Sequence, residues 1–174
     1  LDAEMADKLR AELGDVLFEH RYDHEREHSV ELQCGWIQKV FGQDGTSPPV
    51  FAALVHDPSV KDGESYDGTG VAFQPFVDAC LKAIDELEGP TLVIGSAELS
   101  HVGPGYGDQI QLAGDSPEAD QARRKVLEQD SQLLKMVTDG KPRDLISSIA
   151  WQQNSTRWSS TGAIAATALI SRSE

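Results

Sequence analysis

This chain is short of positive charge, of aromatic residues, of cysteine and of long apolar runs, and each shortage excludes something. Fifteen Lys and Arg stand against twenty-nine Asp and Glu, a formal net charge of −14. Such a field repels phosphate backbones and anionic lipid headgroups, so neither nucleic acid nor a membrane surface is an expected partner. No stretch approaches the roughly 20 consecutive apolar residues that a bilayer-spanning helix needs. The opening Leu1-Asp2-Ala3-Glu4 lacks the basic-then-apolar order of a signal peptide. The two cysteines, Cys34 and Cys80, fall in helical, partly apolar contexts. Free buried thiols are therefore expected rather than a disulfide framework, and with them a reducing, cytoplasmic setting.

What is present suits one globular domain over residues 1–174, with 39% hydrophobic residues to build its core. Asp2 can cap a helix carrying Met5, Leu9 and Leu13, which Gly14 ends. An extended stretch is expected over residues 15–22, then a second helix bearing Val30, Trp36, Ile37, Val40 and Phe41 that stops before Gly42 and Gly45. Val50-Phe51-Ala52-Ala53-Leu54-Val55 and Thr91-Leu92-Val93-Ile94-Gly95 are continuous apolar runs that follow proline or glycine, and both are expected as buried strands. A polar loop (57–70) and a helix (73–87) between them make a strand-helix-strand unit. A charged helix (117–138), a shorter one (143–151) and a small-residue closing helix (162–170) complete an α/β reading: a three-layer fold with a mostly parallel or mixed sheet flanked by helices.

Two segments carry the candidate chemistry. Glu27-His28-Ser29-Val30-Glu31 and Ser96-Ala97-Glu98-Leu99-Ser100-His101 each pair an imidazole with carboxylates, and the second leaves an expected strand end, where sheet proteins mount active-site groups. A neutral imidazole is the commonest side-chain metal ligand and a neighbouring carboxylate can orient it, so His28 and His101 are expected to converge on one ion. His24-Glu25-Arg26-Glu27-His28 also matches the zincin pattern and its inverse, in which two histidines on one helical face hold zinc and a glutamate polarises water. Its charged flank, His20-Arg21-Tyr22-Asp23, points instead to a solvated surface. The glycines at 103, 105 and 107 lack both phosphate-loop spacings and are expected to form a turn.

The two segments, in this order and spacing, resemble the MEMO family, also called AmmeMemoRadiSam system protein B. Its members carry a Glu-His-Ser-x-Glu segment and, further on, a Ser-Ser/Ala-Asp-x-x-His segment before a glycine-bearing loop. The resemblance runs along nearly the whole chain. It implies an α/β fold similar to the class III extradiol dioxygenases, metal binding, and a small-molecule substrate of unknown identity. The implied metal ligands are His28 and His101. Glu98 takes the family's Asp position beside the metal, and His24 or Glu27 handles protons at the rim. Fe(II) or Cu, and secondarily Zn, are the implied ions. Three departures stand out: no Pro-His-Ala-Gly-Tyr segment supplies a third histidine, so the chain resembles the family domain without its N-terminal third; Ser160-Thr161-Gly162 replaces a late Cys-Gly; and Glu98 replaces Asp. Two expectations follow. One is a non-haem iron or copper redox enzyme similar to the dioxygenases. The other is a noncatalytic binding or assembly protein whose metal site is vacant or is completed by an N-terminal fragment or a protein partner.

Overall fold

The computed structural model describes residues 2–42, 45–65 and 68–171, apart from the side chains of Arg21 and Arg26. Leu1, residues 66 and 67 of the expected polar loop, and the Arg26 side chain of the histidine-rich motif lie outside the described residues. Among the described residues six α-helices form: α1 (Ala3–Leu13), α2 (His28–Phe41), α3 (Phe73–Asp85), α4 (Pro117–Thr138), α5 (Pro142–Trp151) and α6 (Thr161–Ile170).

The helices follow local signals. The Asp2 carboxylate accepts the Met5 N–H at 3.0 Å, satisfying one of the amides left over at the start of α1, and Gly14 ends that helix at φ 77°, where a side chain would be strained. The Ser116 hydroxyl accepts the Ala119 N–H at 3.2 Å and Pro117 takes the first helical position of α4. The expected extended stretch at 15–22 is replaced by 3₁₀ turns over Asp15–Phe18 and Arg21–Arg26. Val16, Leu17 and Phe18 there are only partly buried, so no sheet face was available to straighten them.

The sheet is the main correction. Among the described residues there is no strand and no sheet, so the three-layer α/β expectation fails. Residues 50–55 and 91–95 are irregular, and the sole backbone hydrogen bond they make with another described residue is that from Asp2 N–H to the Val50 carbonyl, 2.9 Å. A strand becomes a sheet only when a neighbour supplies the complementary amides and carbonyls. An apolar run encodes burial of a segment, but it does not encode that neighbour.

Packing proceeds helix on helix in the order α1, α3, α6, α5, α4. One core gathers Met5 and Leu9 of α1, Phe73, Phe76, Val77, Cys80 and Ala83 of α3, and Ala165, Ala166 and Ile170 of α6. A second gathers Leu133 of α4, Leu145 and Ile149 of α5, and Trp158. The small residues of α6 let it serve both cores, because helices bearing alanine and glycine approach their neighbours closely. Cys80 is buried, and burial pushes its thiol up to about 12; Cys34, expected to be buried, lies exposed on α2, a helix that buries no residue completely. No helix among the described residues is long and apolar enough to cross a membrane.

Candidate functional site

His101 is held from its backbone and from both ring nitrogens. Its N–H donates to the Thr156 carbonyl at 2.8 Å, Nδ1 faces the Arg157 carbonyl at 2.9 Å, and Nε2 faces Glu98 Oε2 at 3.0 Å. A carbonyl oxygen only accepts, so Nδ1 donates its proton there, and the 3.0 Å approach of Nε2 to Glu98 Oε2 is a hydrogen bond when one of those two atoms carries a proton. Glu98 is itself placed by its backbone N–H, which donates to Ser160 Oγ at 2.9 Å. Ser160 stands in the segment where the family resemblance leads one to look for a thiol, and its hydroxyl positions the carboxylate-bearing turn.

The loop after α5 fixes the two carbonyls that grip His101. Gln153, Asn154 and Arg157 all have positive φ (51°, 46° and 55°), an uncommon conformation for residues with a side chain. The surroundings hold it. Asn154 accepts the Trp158 N–H at 2.7 Å and returns a donor to the Trp158 carbonyl at 2.9 Å. The Trp158 indole N–H donates to Asp130 at 2.8 Å, and Ser100 Oγ donates to the same carboxylate oxygen at 2.6 Å. The strain therefore sits directly beneath the imidazole, and the Trp158 anchor sustains it.

A second set of groups abuts His101 that the motifs did not announce. Tyr106 meets the imidazole edge-on, with ring centroids 5.3 Å apart at 78°. Arg157 lies 5.9 Å over the Tyr106 ring and pairs with Asp108, which also accepts the Gly103 N–H at 2.8 Å. Residues 104–106 form a 3₁₀ turn, so the glycine-bearing segment is a turn as expected, but one closed by Asp108. The Arg157 hydrogen bond, then the Gly103 amide, hold the Asp108 carboxyl below its ordinary range. A carboxylate with a depressed folded-state value stabilises the fold above its unfolded value, and that contribution is lost as pH falls through the folded one. Asp108→Asn is accordingly expected to remove part of the acid-side loss of stability below about pH 4. Urea midpoints measured between neutral and strongly acid pH check this: the variant should be less stable near neutrality and converge on the parent in acid.

The other motif residues are more dispersed. His24 belongs to the exposed turn Arg21–Arg26, Glu27 is extended at φ −95° and ψ 114°, and α2 starts at His28. The chain thus breaks between the two histidines of His24-Glu25-Arg26-Glu27-His28, and they do not share the single helical face that zincin chemistry requires. Glu27 accepts the Ser29 N–H at 2.8 Å as the cap of α2. That bond, more than nearby His28, lowers its pKa, which makes it a weaker base. The Nδ1 of His28 lies 3.9 Å from Glu27, and the ring is largely exposed.

His28 and Glu98 do line one cavity of about 1140 Å³, bounded by α2, by residues 50–55 and 90–98, and by one side of α6; Gln33 of α2 reaches across to Ser96 Oγ at 3.2 Å. His101 is not among its lining residues. Among the described residues no group of three His, Cys, Asp or Glu side chains stands close enough to hold a metal. The Glu98 and His101 pair supplies two donors, and two donors do not by themselves make a closed coordination set.

Comparison with known proteins agrees with the motifs. A family model described as Memo-like protein matches residues 1–173. A MEMO1 family protein of Thermococcus onnurineus (strain NA1) is 27% identical over 139 residues, covering 80% of this chain. The chain spans 43% of the length of that curated relative. No solved structure matches it.

Proposed function

This chain belongs to the Memo-like protein family, and from that premise we propose that it is a noncatalytic binding or assembly domain carrying an incomplete metal site. One observation carries this reading: both ring nitrogens of His101 face acceptors of its own chain, and among the described residues Glu98 is the one further metal-ligating side chain that contacts them. A pair of this kind binds a divalent ion weakly and leaves its orientation undetermined, whereas oxygen-activating iron sites use two imidazoles and a carboxylate on one face. The reading fits a protein of the reducing cytoplasm whose Glu98 and His101 receive further ligands from a partner chain or an N-terminal fragment.

The rival is a non-haem iron or copper enzyme similar to the dioxygenases, acting on a small molecule, and it rests on a different observation. His28 and Glu98 share the wall of one cavity, so a movement of α2 that closed this cavity would bring an imidazole toward the existing pair. Titration of the purified protein with Fe(II), Cu(II) and Zn(II) under anaerobic conditions separates the two. The proposed reading expects weak binding that His101→Ala reduces and His28→Ala leaves unchanged. One equivalent of iron or copper held tightly, and lost in both variants, would overturn it in favour of the enzyme.

A further inference from the structure

Arg157 carries two local outliers at once. Its backbone stands at φ 55°, in the left-handed region that residues with a side chain seldom adopt. Its Nε is buried without a hydrogen-bond partner among the described residues, and a buried donor left unpaired is destabilising. Outliers of this kind persist where the surroundings hold them in place, and they gather where a group must be presented in one pose.

The group presented here is the imidazole of His101. The Arg157 carbonyl accepts its Nδ1 proton at 2.9 Å, and the carbonyl of the preceding Thr156 accepts its backbone N–H at 2.8 Å. With Nδ1 occupied, Nε2 is the ring nitrogen left to face Glu98, at 3.0 Å. The far end of Arg157 is tied down as well. Its guanidinium pairs with Asp108 and lies 5.9 Å over the Tyr106 ring, whose own contact with the imidazole is edge-on. Asp108 is fastened twice to Gly103: its carboxylate accepts the Gly103 N–H at 2.8 Å, and its own N–H donates to the Gly103 carbonyl at 3.2 Å. One residue therefore joins the two loops beside His101, by its backbone to the ring and by its side chain to the glycine-bearing turn.

Charge argues against another use of this guanidinium. Asp108 already meets it, in a chain of net charge −14, so an anionic ligand would have to compete with a carboxylate held in place.

We propose that Arg157 is a positioning residue for His101: its anchored guanidinium holds the strained backbone whose carbonyl binds Nδ1, and so presents Nε2 beside Glu98 to an incoming divalent ion. This rests on the reading of Glu98 and His101 as an incomplete metal site. Removing a group that orients a ligating imidazole typically changes ion affinity by roughly 10–100-fold.

The test uses two substitutions that treat the backbone differently. Alanine removes the anchor and leaves the strain, whereas glycine removes the anchor and adopts positive φ freely. In protein carrying isotope-labelled histidine, the Nδ1 proton of His101 should exchange slowly with solvent. Exchange should be ~10-fold faster or more in Arg157→Ala, and near the parent's rate in Arg157→Gly. Zn(II) should bind ~10-fold more weakly to Arg157→Ala, with Arg157→Gly again close to the parent. A role through charge alone, or through general stability, predicts the same loss in both. Equal effects of alanine and glycine, or an unprotected Nδ1 proton in the parent, overturn the proposal. Should Arg157→Ala lose its helical circular dichroism, Asp108→Asn, which keeps Arg157 and weakens its anchor, should speed exchange of the same proton; unchanged exchange there overturns the proposal too. Zn(II) uptake that His101→Ala leaves unaltered overturns the metal-site reading instead, and the Nδ1 proton, read without any metal, still decides the role of Arg157.

Discussion

Trp158→Ala is expected to be the most damaging truncation in this chain, costing roughly 3–5 kcal/mol and lowering the melting temperature by about 10 °C. Trp158 is 1% exposed and forms the centre of the second core with Leu133, Leu145 and Ile149. Its indole N–H also satisfies Asp130, which otherwise keeps only the Ser100 hydroxyl as a bonded partner. The cavity and the partly orphaned carboxylate add together. Trp158→Phe separates them, since it retains most of the ring volume and removes the donor, and should cost about 1–2 kcal/mol. The two exposed tryptophans, Trp36 at 68% and Trp151 at 87%, supply an internal reference for emission. Both variants should lose the blue-shifted component and keep the red one. Because the positive-φ loop that grips His101 is anchored through Asn154 and Trp158, the alanine variant should also shift the imidazole nitrogen resonances of His101. The histidine at 28, on a separate helix, should be unchanged.

The contrast between what the sequence announced and what it concealed follows the range of the interactions. Helices close their hydrogen bonds within four residues, so Asp2 and Gly14 were enough to place the ends of α1. Glu98 and His101 are three positions apart, and their contact was legible for the same reason. The sheet was not legible, because residues 50–55 and 91–95 carry the composition of buried strands while pairing is a property of two segments at once. Nor were Asp108 and Arg157, which meet across 49 positions and announce themselves through no motif. Asn154 offered the sole faint signal, as asparagine tolerates the left-handed region better than most residues, but Gln153 and Arg157 share that conformation without any such preference. The exposure of Cys34 has the same origin: the apolar stripe of α2 encodes a helix that faces something, and among the described residues that something is the cavity that His28 and Glu98 line.

Gly162→Ala is expected to be nearly as costly as the tryptophan truncation, at about 3 kcal/mol, although it adds a single methyl group. A Cβ at position 162 would stand 2.0 Å from the His56 carbonyl oxygen and 2.9 Å from the Val55 oxygen. Both obstacles are backbone, so no side-chain rotation relieves them, and the 55–56 segment must move away from α6 by an ångström or more. On its other contact, Gly95 lies against Thr167 so closely that a Cβ there would meet the hydroxyl at 2.6 Å. The closing helix is therefore seated between the two extended segments by glycine at each contact, Gly162 supplied by the helix and Gly95 by the segment. Forcing one contact open should loosen Ala165 and Ala166 in the first core and Ile164 against the second, since α6 serves both. Chemical denaturation should show the loss as a lower midpoint. Hydrogen exchange should show α6 opening in Gly162→Ala before α4 does. Gly105→Ala, at a site where a Cβ meets nothing within 4 Å, should change the midpoint by less than about 0.5 kcal/mol and serves as the control. If both variants unfold alike, the close approach of α6 to residues 55–56 is not what holds the two cores in register.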